Sequence, residues 1–119
     1  MFSVIFPGQG SQIVGMGRDL YSKHDTIKKL YNCYIDNDSI GSMLAFHATN
    51  PYGYGRVKVK NNKVLSVVEE IHTTLSDKKI TLCNAGVIIC NSKLLFSNIN
   101  KISDKNLKKE KYLPDIFQI

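Results

Sequence analysis

The sequence predicts an α/β fold, and three of its features carry that prediction. Apolar residues recur at helical spacing in one segment, β-branched runs flank a pair of asparagines in another, and a longer apolar run follows. The 119 residues are enough for about one small domain, and 43% hydrophobic with 22% charged residues is ordinary for a globular protein. We therefore expect one α/β core, organised around residues 45–90.

The first half of the chain predicts a strand, a helix and a second strand. Residues 2–6 form a β-branched and aromatic run that ends in a glycine turn at Pro7, which is typical of a buried strand. A helix is predicted over residues 25–36, with Asp25 as a suitable N-cap. Residues 42–46 then predict a short strand. The apolar face of the helix consists of Ile27, Leu30, Tyr31, Tyr34 and Ile35.

The loop at residues 51–55 has the composition of a binding loop. Gly53 and Gly55 flank Tyr54, and glycine lets a backbone turn through positive φ and lets a ligand approach the peptide groups closely. A loop of this kind suits recognition better than catalysis by a side chain.

A β-hairpin and a long strand are predicted after the loop. Residues 56–60 and 64–69 are the two arms, and Asn61-Asn62 between them tolerate the left-handed conformation that a tight turn needs. Residues 80–90 are predicted as the central strand.

The charge pattern argues against nucleic-acid binding. The net charge of +6 is an excess of lysine, concentrated near the C-terminus in a segment with almost no aromatic residues. Specific readers of nucleic acids usually place Arg, Asn or Gln on base edges and aromatic rings on stacked bases, so a solvated segment is favoured here. The lysines are Lys101, Lys105, Lys108, Lys109 and Lys111.

The cysteines and the N-terminus predict a cytoplasmic protein. Three cysteines leave one unpaired in any disulfide scheme, which favours a reducing compartment, and Cys83 and Cys90 fit small buried hydrophobes better than nucleophiles. The N-terminal apolar run breaks at Pro7 with no basic region before it, so we expect neither a signal peptide nor a membrane span.

Four separated blocks carry a resemblance to a known family. Residues 50–57 (NPYGYGRV), 67–70 (VVEE), 84–87 (NAGV) and 110–116 (EKYLPDI) stand in the order and spacing of one domain. They resemble the second half of the pyrophosphorylase domain of bifunctional N-acetylglucosamine-1-phosphate uridylyltransferase / glucosamine-1-phosphate acetyltransferase, which makes UDP-N-acetylglucosamine. The resemblance covers about residues 25–119 and implies an incomplete Rossmann-like nucleotidyltransferase domain with a β-hairpin arm.

The resemblance also implies a sugar site. In register, the family's contacts to N-acetylglucosamine and ribose become Gly55, Glu69 and Asn84, with Gly53 and Tyr54 in the same turn. A backbone N–H, a carboxylate and an amide suit a polyhydroxylated ligand. From the residues alone, Asn84 is better explained as an amide that satisfies backbone groups, and Glu69 as a solvated carboxylate. The resemblance reverses that preference.

Other parts of the family pattern are altered or absent. Glu70, Ile71 and His72 stand where a lysine and an aspartate are usual, Ala85 replaces a small hydroxyl residue, and Pro114 replaces a threonine. The 119 residues contain neither the glycine-rich triphosphate loop nor the aspartate and asparagine that hold Mg²⁺ in the intact family. Because nucleotidyl transfer depends on charge stabilisation by such groups, we expect this fragment alone to bind no cofactor and to have no catalytic residues.

The N-terminus resembles a second family. Residues 6–12, FPGQGSQ, and 15–17, GMG, are similar to the start of malonyl-CoA:acyl-carrier-protein transacylases, over about residues 1–23. The resemblance implies that Gln9 is the remnant of an oxyanion hole, but no G-x-S-x-G nucleophile motif occurs in the chain. The predicted division is therefore a transacylase-like fragment at 1–24 and a partial pyrophosphorylase domain at 25–119.

Three hypotheses for function follow from these patterns. The first is a chimeric remnant of a UDP-N-acetylglucosamine pyrophosphorylase that binds its product weakly, associates through exposed sheet edges and is inactive alone. The second is a transacylase-related fragment of fatty-acid synthesis, and coverage favours the first because only about 23 residues support the second. The third is a non-catalytic interaction module that uses the lysine-rich segment, which strong salt dependence of polyanion binding would reveal.

Overall fold

The computed structural model describes residues 2–5, 18–36, 39–106 and 109–118. Its strands and helices follow the order expected from the sequence. They are β1 (Phe2–Ile5), α1 (Arg18–Lys23), α2 (Asp25–Asp36), β2 (Gly41–His47), β3 (Arg56–Lys60), β4 (Lys63–Val68), β5 (Leu82–Asn91) and α3 (Ser92–Asn98). Short 3₁₀ turns occur at Glu70–His72, Asp77–Lys79, Ile99–Lys101 and Leu113–Gln118.

Strand β5 is the centre of the sheet, as predicted. It pairs antiparallel with β2 along one edge, and on its other edge with β1 and with the start of β3. Ile88 is opposite both Ile5 and Met43, which fixes β1 and β2 on opposite sides of β5. Every strand pairing among the described residues is antiparallel, so the fold is a mixed helix and antiparallel sheet compatible with the α/β prediction. Its Rossmann-like character stays a prediction.

The predicted hairpin is confirmed, with arms β3 and β4. Lys60 pairs with Lys63, leaving a two-residue turn at Asn61 and Asn62, whose φ angles are 51° and 59°. Two positive φ angles define the mirror-image turn that matches the twist of the flanking strands, and asparagine tolerates this region better than most residues.

The main core lies on one face of β5. Ile88 and Cys90 point toward it, because alternate residues of a strand share a face, and α3 and the C-terminal segment cover them. Leu95, Ile102 and Ile116 complete this cluster, and each is at most 4% exposed. Ile89 is 1% exposed on the opposite face of the strand, and α2 contacts both β2 and β5. Both faces of the central strand are therefore buried.

Helix α2 has the predicted bounds but differs in two details. Asp25 lies inside the helix rather than before it, since the backbone N–H of Lys28 donates to the His24 carbonyl at 3.2 Å. The Asp25 carboxylate instead accepts from Lys28 Nζ at 3.0 Å. Four of the five predicted face residues are buried or half-buried, but Ile35 is 53% exposed. Ile35 shares the predicted face but is not covered, because periodicity defines a face but not how far the neighbouring structure extends along it.

The N-terminal strand is confirmed over Phe2–Ile5. The glycine turn and Gln9 lie outside the described residues. The proposed division between residues 24 and 25 falls between α1 and α2, whose Tyr21 and Tyr31 rings meet edge to face with centroids 5.3 Å apart. That division stays a prediction about sequence origin.

Candidate functional site

The loop between β2 and β3 is built from glycine conformation and a local turn. Gly53 has φ +86°, and a Cβ there would meet no described residue within 4 Å apart from its chain neighbours, so the backbone conformation is the reason that glycine is needed. The Tyr54 N–H donates to the Pro51 carbonyl at 3.1 Å, and the Tyr52 N–H donates to Asn50 Oδ1 at 3.2 Å. The loop therefore presents its outer side to solvent.

Gly55 is a glycine for a different reason. A Cβ placed there would lie 2.9 Å from Val67 Cγ1 and 3.2 Å from Glu69 Oε1. Glycine is needed at position 55 because Val67 and Glu69 approach its Cα closely, whereas the positive φ of this loop occurs at Gly53. The two properties of glycine that the sequence analysis named, positive φ and close approach, are thus divided between Gly53 and Gly55.

Three of the predicted sugar-contact residues meet at Gly55. The Glu69 carboxylate lies beside its Cα, as the Cβ distances of 3.2 and 3.4 Å require, and the Asn84 N–H donates to the Gly55 carbonyl at 2.9 Å. The loop, the end of the hairpin and the central strand therefore converge on one glycine. This convergence brings residues separated by 29 positions in the sequence into one cluster.

Asn84 has a structural task in addition to any ligand contact. Its Oδ1 accepts from the Gly86 N–H at 2.8 Å, and Gly86 has φ +77°. The register between β2 and β5 shifts between Met43 and Ala45, opposite this point, so the Asn84 side chain supports a bulge in the central strand. This is the backbone-satisfying role that the residues alone suggested, and it leaves the amide nitrogen of the same side chain able to donate.

A cleft of about 360 Å³ lies beside the loop. That volume falls in the range of small-molecule sites, which begins at about 300 Å³. Gly53 and Glu69 line it, whereas Gly55, Tyr54 and Asn84 do not. The remaining lining residues are Tyr52, Glu70, Ile71, Glu110 and Tyr112. Two tyrosines and three glutamates suit a neutral polyhydroxylated group better than a phosphate.

The C-terminal segment supplies one wall of this cleft. Burial raises the pKa of Tyr112, helped by the nearby Glu110 carboxylate, so the phenol stays protonated at neutral pH. The His72 ring packs against Tyr112 at a centroid distance of 6.3 Å, and its Nε2 is buried without a partner among the described residues.

Tyr54 is placed away from the cleft. Its ring packs edge to face on Phe46, with centroids 5.1 Å apart, and it is 45% exposed. The Tyr54 ring therefore links the loop to β2, and its role in ligand contact stays a prediction.

Arg56 and Glu70 form an ion pair at the site, and the sequence predicted no role for either residue. Arg56 Nη2 lies 2.7 Å from Glu70 Oε2, and the Arg56 side chain is only 3% exposed. Arg56 also donates through Nη1 to the Tyr54 carbonyl. The hydrogen bond from Arg56 holds the pKa of Glu70 below its ordinary value, so the carboxylate is ionised at neutral pH. A signal was available, because Arg56 begins the first arm of the hairpin and the acidic pair Glu69-Glu70 directly follows the second, which places them at the same end of it.

A second ion pair stabilises the hairpin away from the loop. Lys58 Nζ lies 2.6 Å from Asp77 Oδ1, and Asp77 Oδ2 accepts from the Thr74 N–H at 3.0 Å and from Thr74 Oγ1 at 2.8 Å. The hydrogen bond from Lys58, followed by those from Thr74, lowers the pKa of Asp77 to about 2.

The cysteine prediction is confirmed. Cys83 is fully buried and Cys90 is 1% exposed. Burial raises the pKa of the Cys90 thiol, which keeps it protonated and unreactive.

Within the described ranges, no group of three or more His, Cys, Asp or Glu side chains is arranged to hold a metal ion. No helix in the part of the chain that the structure describes is long and apolar enough to span a membrane.

Comparison with known proteins supports the main resemblance. The chain is 41% identical over 98 residues to the "Probable UDP-N-acetylglucosamine pyrophosphorylase" of Acanthamoeba polyphaga mimivirus, an alignment that covers 82% of this chain. It is 42% identical over 74 residues to "Bifunctional protein GlmU" of Bartonella bacilliformis and 38% identical over 111 residues to that of Buchnera aphidicola, covering 62% and 93% of this chain. Homologues with these two names cover most of the chain.

The chain matches only part of each relative. It spans 38% of the length of the mimivirus protein, 16% of the Bartonella protein and 24% of the Buchnera protein. No protein-family profile matches the chain. The transacylase resemblance of the first 23 residues stays a prediction.

Proposed function

We propose that this chain is the sugar-binding part of a UDP-N-acetylglucosamine pyrophosphorylase domain. It binds UDP-N-acetylglucosamine weakly through Gly55, Glu69 and Asn84. The observation that carries the proposal is the convergence of the Glu69 carboxylate and the Asn84 backbone on Gly55, beside a cleft of sugar-sized volume. A relative named "Probable UDP-N-acetylglucosamine pyrophosphorylase", aligned over 82% of this chain, supports the choice of ligand.

The chemistry of the cleft favours the sugar end of the ligand. Hydroxyl and acetamido groups can donate to the Glu69 and Glu110 carboxylates, while the Tyr52 and Tyr112 rings offer apolar faces. The same carboxylates repel a diphosphate, so the nucleotide end gains little here. With three polar contacts of about 0.5–1.5 kcal/mol each, the affinity is millimolar at best.

We further propose that the chain alone transfers no uridylyl group. The groups that hold the triphosphate and Mg²⁺ in the resemblance are absent from these 119 residues. Each such charge-stabilising group is worth about 3–4 kcal/mol in the transition state, so their combined absence removes many powers of ten in rate. Mg²⁺ has no binding role in this fragment by itself, and exposed sheet edges favour its association.

The N-terminal 23 residues are proposed to be a graft with the sequence of a transacylase N-terminus. The pairing of β1 with β5 supports their incorporation into the same sheet. Such a graft contributes a strand and no acyl-transfer chemistry, so malonyl-CoA and carrier protein give no turnover.

Saturation-transfer NMR tests the binding proposal from the ligand side. With the purified chain in millimolar UDP-N-acetylglucosamine, we expect saturation to reach the N-acetyl and sugar protons more strongly than the uracil protons. Uridine diphosphate alone should give little transfer, and Glu69→Gln should reduce the sugar signal. Transfer confined to uracil, or equal for both ligands, would refute the proposed site. Metal-dependent pyrophosphate release from UTP and the sugar phosphate would refute the claim of inactivity.

A further inference from the structure

We propose that Glu70 is a positioning residue that holds the backbone of the 51–55 loop in its ligand-binding shape, with Arg56 keeping the Glu70 carboxylate in place. The inference rests on the proposed function and deepens it. Glu70 stood out in the sequence only as a departure from the family pattern, so its role comes from the contacts it makes.

A single carboxylate oxygen ties two parts of the chain together. Glu70 Oε2 accepts from the Gly53 N–H at 3.1 Å and lies 2.7 Å from Arg56 Nη2. Arg56 also donates to the Tyr54 carbonyl. The amide of residue 53, the carbonyl of residue 54 and the start of β3 are therefore linked to one residue just after β4.

The outer side of the loop has little packing to replace these bonds. Apart from the two chain neighbours of Gly53, no described residue lies within 4 Å of the position that a Cβ on Gly53 would occupy, and Tyr52 is 77% exposed. The hydrogen bond between Tyr54 and Pro51 shapes the turn but is local to it. The bond from Gly53 to Glu70 links the tip of the loop to the hairpin, so it sets where the loop stands relative to Glu69.

Charge explains why the carboxylate stays in position. The Arg56 guanidinium is almost fully buried, and its Nε has no partner among the described residues. A buried cation strongly favours retention of its counterion, because removing one partner leaves an uncompensated charge. Glu70→Ala can therefore weaken folding as well as the loop, and the test needs variants that separate the two effects.

Two variants make that separation. Glu70→Gln keeps a side-chain oxygen of the same reach that can accept from both Gly53 and Arg56, while it removes the charge. Asp77→Asn disturbs the other ion pair of the hairpin, with Lys58 at 2.6 Å, and the partners that its carboxylate has among the described residues are Lys58 and Thr74, outside the 51–55 loop. A loss of stability without a loss of loop geometry should appear in Asp77→Asn.

The experiment uses the ¹⁵N-labelled full chain, with hydrogen exchange of the Gly53 amide and a titration with UDP-N-acetylglucosamine. Loss of one hydrogen bond should make Gly53 exchange roughly threefold to tenfold faster in Glu70→Ala and weaken ligand binding by a similar factor. Glu70→Gln should fall between wild type and Glu70→Ala in both readouts, because the acceptor is retained while the charge that pairs with buried Arg56 is lost. Asp77→Asn should leave both unchanged.

The outcomes separate this inference from the proposed function. If wild type binds and Glu70→Ala binds equally well with unchanged Gly53 exchange, the positioning role is overturned and the proposed function stands. Glu70→Gln losing as much as Glu70→Ala, or Asp77→Asn matching Glu70→Ala, would also overturn it. A wild-type chain without ligand-dependent shifts would overturn the proposed function and this inference together.

Discussion

Replacing Gly55 with alanine tests the close packing on which the candidate site depends. The added Cβ would stand 2.9 Å from Val67 Cγ1 and 3.2 Å from Glu69 Oε1. Val67 is only 9% exposed and cannot move outward freely, so the Glu69 carboxylate and the loop backbone must shift. The Gly55 carbonyl, which accepts from the Asn84 N–H, should shift with them.

The free-energy cost of Gly55→Ala follows from two opposing effects. Overpacking of this kind costs about 1–3 kcal/mol. The reduced backbone freedom of alanine in the unfolded chain returns about 0.4–1 kcal/mol, because Gly55 needs no positive φ. The net local cost is therefore about 1–2 kcal/mol, which corresponds to roughly fivefold to thirtyfold faster opening of the contact between Gly55 and Asn84.

Hydrogen exchange of the Asn84 amide measures this opening directly. Gly53→Ala is the matched control, because its cost comes from φ +86° and its Cβ would meet no described residue within 4 Å apart from its chain neighbours. We expect Gly55→Ala to accelerate exchange at Asn84 and Gly53→Ala to leave it near the wild-type rate. Unchanged or slower exchange at Asn84 in Gly55→Ala would refute the packing described for this site.

Three further outcomes are expected. Asp77→Asn should lower the free energy of unfolding above pH about 4 and have little effect near pH 2. The reason is that the lowered pKa of Asp77 makes its contribution to stability present above the unfolded pKa of 3.8 and lost as pH falls through about 2. Urea titrations across that range measure the difference in unfolding free energy, and a difference independent of pH would contradict the prediction. Gly41→Ala should loosen the C-terminal segment, since its Cβ would lie 2.5 Å from Phe117 Cε1. Faster proteolysis near Phe117 in the variant is the expected result, and an unchanged cleavage rate would contradict it. The proposed association through exposed sheet edges should give a molar mass that rises with protein concentration in light scattering. A monomer at every concentration would contradict it.

Local features of the fold were predictable from the sequence because local rules determine them. Helix α2 follows from apolar spacing, and the hairpin follows from β-branched runs on either side of Asn61-Asn62. The central strand β5 follows from a long apolar run. The exposure of Ile35 was not predictable, because it depends on where neighbouring structure ends.

The candidate site was predictable only in part. The resemblance indicated Gly55, Glu69 and Asn84, and the structure brings them together. The ion pair between Arg56 and Glu70 depends on how the loop meets the end of the hairpin, which no periodicity encodes. The bulge at Gly86 was likewise missed, because its glycine reads as part of an apolar strand until the register with β2 is known.

Amide chemical-shift mapping with UDP-N-acetylglucosamine tests the central claim most directly. The account predicts shifts that saturate in the millimolar range, centred on the amides of Gly53, Gly55, Glu69 and Asn84, and strongly reduced in Asn84→Ala. Because Asn84 also supports the strand bulge at Gly86, the variant must first show unchanged shifts for β5 residues away from the bulge. Shifts centred elsewhere, or identical ligand-induced shifts in wild type and Asn84→Ala, would contradict the account.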